Sequence, residues 1–109
     1  MTRTDLIEFL ATIITKLDVE RSRFDRGTPE RDRLDGLRDQ LDTDLRQLVR
    51  VNFADNTPEF LAAVDDLKAA NGELSKTIGD LKRVAETLGN VVALVKSVDK
   101  LVKVAAPLV

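Results

Sequence analysis

The side chains in this chain that could do chemistry are carboxylates, lysines, arginines and three serines; His, Cys, Trp and Tyr are absent. Carboxylates come close together twice, as Asp42 and Asp44 in "DTD" and as Asp65 and Asp66 in "VDD". Helix positions one or two apart point to different faces. Neither pair can therefore flank a substrate as general acid and base. Without His, the usual proton-transfer group near neutral pH is missing, and so is the commonest zinc ligand. The Glu-x-x-His motif of di-metal bundles cannot form. Ser22, Ser75 and Ser97 have no such base to activate them. No Gly-rich phosphate loop or nucleophile elbow is present. The residues predict no catalysis, no cofactor and no bound metal.

The elements that carry these residues read as helices. "GTPE" at 27–30 and "NTPE" at 56–59 each place Thr as an N-cap, Pro at the first helical position and Glu in the first turn. The Thr oxygen accepts an otherwise unpaired N–H. Proline loses no hydrogen bond there, and Glu meets the positive end of the helix dipole. Helices are expected to start at Thr28 and Thr57.

A first helix is expected from after Thr4 to about Asp25, with an apolar stripe of Leu6, Leu10, Ile13, Leu17 and Phe24 widened by Ile7 and Ile14. The second, from Pro29 to about Phe53, carries Leu34, Leu37, Leu41, Leu45, Leu48 and Val51. Ion pairs at i,i+4 are expected around it: Arg31–Asp35, Arg38–Asp42 and Asp42–Arg46. Their bland meaning is a solvated face.

In the third, Phe60, Val64, Leu67, Asn71, Leu74, Ile78, Leu81, Ala85 and Leu88 alternate spacings of four and three. This is the period of a coiled-coil seam. Its phase runs straight through Asn71–Gly72, so the helix is expected to continue there, with Asn71 setting register. The phase fails at Asp99, and Gly89–Asn90 offers a stop. A fourth helix is therefore placed over 90–106, ending before Pro107. Lys96, Lys100 and Lys103 gather on one side with Asp99; Val91, Leu94, Val95, Val98, Leu101, Val102 and Ala105 cover the other.

These segments predict an all-α chain: one domain over 1–109, an antiparallel bundle of about four amphipathic helices with a long coiled-coil-like third helix. The length of that helix and the apolar fourth suggest surface covered by another chain. The expected function is a non-catalytic adaptor-type module for protein–protein interaction, N-terminal in a longer protein. It self-associates as a homo-oligomer or docks a partner through its C-terminal half. The expected interface is Asn71, Leu74, Ile78, Leu81, Leu88, Leu94, Val95, Val98, Leu101 and Val102.

The alternative is a membrane-active bundle whose fourth helix lies on or in a bilayer, with Lys96, Lys100 and Lys103 along its edge. The missing Trp and Phe anchors count against it. No run approaches the roughly 20 apolar residues of a spanning helix. The acidic residues Asp5 and Glu8 break up any secretory leader, so a cytoplasmic location is expected. Nucleic acid is disfavoured: Arg21, Arg23, Arg26, Arg31 and Arg33 interleave with Glu20, Asp25, Glu30 and Asp32, and the net charge is −2.

Overall fold

A computed structural model describes residues 1–105. It is all-helical, with four α-helices: α1 (Arg3–Arg21), α2 (Pro29–Arg50), α3 (Pro58–Thr77) and α4 (Val84–Ala105). One 3-10 turn, Leu81–Arg83, precedes α4, and no strand occurs among the described residues. The expected end of the last helix, at Ala106 before Pro107, lies outside them.

Local chemistry sets most helix starts. Thr28 and Thr57 cap α2 and α3 as their sequences require, accepting the N–H of Arg31 and Phe60, with proline in the first turn of each. α1 starts earlier than the stripe predicts. Thr2, not Thr4, is the cap, and Thr2 and Asp5 form a reciprocal capping box.

α2 ends at Arg50, short of Phe53, because its last turn is terminated from outside. The Arg3 guanidinium donates to the carbonyls of Leu48, Val49 and Val51, a cation at the negative end of the helix dipole. Val51 is then extended, and Phe53 turns to meet Phe60 at 5.3 Å between ring centroids.

α3 runs unbroken through Asn71 and Gly72, but it stops at Thr77. The long helix to Leu88 is thus corrected to two elements. Gly79 takes φ +91°, a left-handed conformation that glycine enters without steric cost and that ends helices. The Asp80 side chain then accepts the Lys82 N–H to open the 3-10 turn. α4 continues through Gly89–Asn90, where a break was the expectation. The Asn90 amide reaches back across the hairpin, donating to the Glu73 carbonyl and to Thr77 Oγ1. It braces the last turn of α3 rather than starting α4.

α1 packs on α2, α2 on α4, and α4 on α3. The start of α1 lies by the end of α2 through Arg3, and its end lies by the start of α2 through Arg21–Asp35 at 3.1 Å. One apolar cluster draws residues from all four helices, among them Leu6, Leu17, Leu34, Leu48, Phe60, Leu67, Leu94 and Leu101. The accessible surface is 6253 Å². A compact monomer of this mass exposes about 6,000 Å², so the apolar stripes largely satisfy one another within the chain.

Candidate functional site

Of the residues the sequence marks as interface, Leu74, Leu94, Val95, Val98, Leu101 and Val102 are buried in the chain's own core. Ile78 and Leu88 are half-buried and pack against that core. Leu81 is thrown out of phase by the turn at Gly79 and is 52 % exposed. Asn71 is half-buried, and its Oδ1 is buried without a hydrogen-bond partner. Lys96, Lys100 and Lys103 are exposed, and Lys100 Nζ meets Asp66 of α3 at 3.1 Å. No helix among the described residues is long and apolar enough to cross a membrane.

Most of the marked apolar residues are thus gathered, but toward the inside, with Leu81 left outside. The three expected ion pairs on α2 form, with Arg31–Asp35 at 3.0 Å and Arg46–Asp42 at 3.1 Å, while Arg38–Asp42 is longer at 4.0 Å. Two of these groups also reach α1: Arg38 meets Asp18 at 3.0 Å, and Asp35 meets Arg21. These charges therefore do more than solvate a face; they tie α1 to α2.

A concave feature of the surface lies where the C-terminal half of α1 meets the turn after α3. It is a cleft of about 460 Å³ lined by Thr12, Thr15, Lys16, Val19, Glu20 and Arg23 from the α1 side and by Ile78 and Gly79 opposite. Val19 is 53 % exposed there. Thr12 and Thr15 turn their hydroxyls back to the carbonyls of Glu8 and Ala11, so neither hydroxyl needs a partner from the cleft. Glu20, 2 % exposed, is among the lining residues: Oε2 accepts the Gly79 N–H at 2.9 Å, while Oε1 is buried without a partner. Arg23 donates to the Gly79 carbonyl at 2.9 Å. Lys16 and Arg23 meet no carboxylate within ion-pair distance among the described residues.

A second polar cluster sits between α2 and α4. Gln40 Nε2 donates to Asp44 Oδ1 and to Asp99 Oδ1, each at 3.4 Å. Asp44 is 4 % exposed. Burial, then the hydrogen bond and charge of Asp99, push its carboxyl up to about 7, against a smaller opposing effect of Gln40. "DTD" holds one half of this pair, but its partner comes from another helix. The available sign is Asp99 itself, the residue at which the seam phase of the third helix fails.

No group of three or more acidic residues among the described ones is placed to hold a metal ion. No family model matches the chain, and neither a curated protein nor a solved structure matches it.

Proposed function

We propose that this chain is a non-catalytic helical interaction module, an antiparallel bundle of amphipathic helices that docks a protein partner at the cleft beside Val19 and Ile78. The observation that carries this reading is the cleft: an apolar wall with an exposed Val19, opposite a turn rigidified by Glu20 and Arg23. Exposed apolar surface set in a concavity and rimmed by polar groups is the usual form of a recognition site. Lys16 and Arg23 on the rim favour a segment that pairs an apolar side chain with a carboxylate. Docking through the C-terminal half would require α4 to leave a core that buries Leu94, Val98 and Leu101 completely, and this supports the cleft over that half.

A peptide display library selected on the full chain tests the reading. Enriched peptides are expected to combine acidic and apolar residues. Val19→Asp should abolish their binding, and Lys16→Glu should weaken it by roughly tenfold, about 1.4 kcal/mol. Enrichment insensitive to both substitutions would contradict it.

A further inference from the structure

The α2–α4 contact is the seam between two halves of the molecule, α1 with α2 and α3 with α4. At that seam Asp44 and Asp99 share one amide donor, Gln40. Asp44 Oδ2 is buried and has no donor from the protein. Two carboxylates in this position repel if both are ionised, and neither has a cation to offset it.

The basic groups of these helices are engaged elsewhere or face solvent. Arg38 and Arg46 of α2 are held by Asp18 of α1 and by Asp39 and Asp42. Lys100 of α4 is held by Asp66 of α3. Lys96 and Lys103, about one turn to either side of Asp99, are exposed. Among the described residues none makes an ion pair with Asp44 or Asp99.

We infer that Asp44 and Asp99 hold one proton between them, and that this proton latches α2 to α4, so that its loss on the alkaline side of neutrality loosens the seam and uncovers the apolar face of α4. The proton lies between Asp44 and Asp99 as an O–H···O⁻ hydrogen bond, the strong charge-assisted kind. When it leaves, a hydrogen bond becomes a repulsion between two helices, from a buried Asp44 to a half-buried Asp99.

The direction with pH follows from linkage. In the folded chain Asp44 keeps its proton up to about pH 7, whereas an unfolded Asp releases it near 3.8. Between those values the folded chain binds more protons than the unfolded one, so stability falls as pH rises through the window and levels off above it. Asp44 alone makes unfolding a few hundredfold more favourable at about pH 8 than at about pH 4.

The device needs no ligand, and its test is direct. Carbon-13 carboxyl titration of the wild-type chain by NMR should show one Asp midpoint near 7. The rate of amide exchange over Val91–Val102, corrected for intrinsic chemistry, should rise from pH 6 to pH 8. Asp44→Asn, which supplies an amide donor to Asp99, should remove that rise and leave the chain more stable than wild type at pH 8. If every Asp titrates near 4, the inference is overturned, whatever the variant does. The same holds if Asp44→Asn folds and keeps the wild-type pH dependence.

Discussion

Glu20 and Gly79 are joined across 59 residues of sequence by a 2.9 Å hydrogen bond from the glycine amide to Oε2. With Arg23, just past the end of α1, donating to the carbonyl of the same glycine, both backbone polar groups of Gly79 in the turn after α3 are held. The turn between α3 and α4 is thus held from outside its own hairpin, and the cleft is held with it.

Glu20→Ala is expected to destabilise the chain by about 1.5–3 kcal/mol, the range for a lost hydrogen bond to a charged group. Urea unfolding at fixed pH measures it. Glu20→Gln keeps an acceptor for Gly79 and should cost less.

Gly79→Ala and Gly89→Ala should act in opposite directions. At φ +91° an added Cβ is strained, for about 1–2 kcal/mol of destabilisation. The 3.3 Å approach to Arg23 Nη1 adds little, because that atom ends a flexible side chain. Gly89 lies inside α4 with open space around its missing Cβ, so alanine there should stabilise by about 0.5–1 kcal/mol. A break at 89 instead of 79 would reverse the two signs.

Leu94→Ala removes a completely buried side chain from α4 and should cost about 2–5 kcal/mol. Lys96→Ala, on the exposed side of the same turn, should stay within about 0.5 kcal/mol of wild type. Thermal unfolding of the pair reads which face of α4 is inside.

On the acid side Asp35 sets a different dependence. Burial raises its carboxyl, but the Arg21 and Arg31 guanidiniums outweigh burial and hold it below its usual 3.8. A lowered folded value stabilises above 3.8, and that contribution is lost as pH falls below it. Thermal scans from pH 7 to pH 2 should show part of the acid-induced loss missing in Asp35→Asn.

The features that sequence conveys here are those decided within a turn or two of chain. Thr28–Pro29 and Thr57–Pro58 announce helix starts because the cap hydrogen bond is local. The stripes through Leu6, Leu34, Phe60 and Leu94 name the core because burial follows helical period. The end of α3 is misplaced because Leu74, Ile78 and Leu81 keep perfect phase across Gly79. Periodicity and a local stop compete there, and the local stop prevails, helped by Asn90 and Glu20 from distant parts of the chain. The pairing of α2 with α4 depends on how the 51–57 connection, pinned by Arg3 to Asp55, leads the second hairpin onto the first. No single segment contains that information. The Asp44–Asp99 pair and the cleft therefore stay hidden until the helices are placed.

Amide hydrogen exchange over Val91–Val102 at pH 6, followed across a hundredfold range of protein concentration, tests most directly whether α4 is turned into its own chain. The account predicts slow exchange that does not change on dilution. Rapid exchange in dilute solution that slows as concentration rises would contradict it, because the apolar face of α4 would then be covered only by a second molecule.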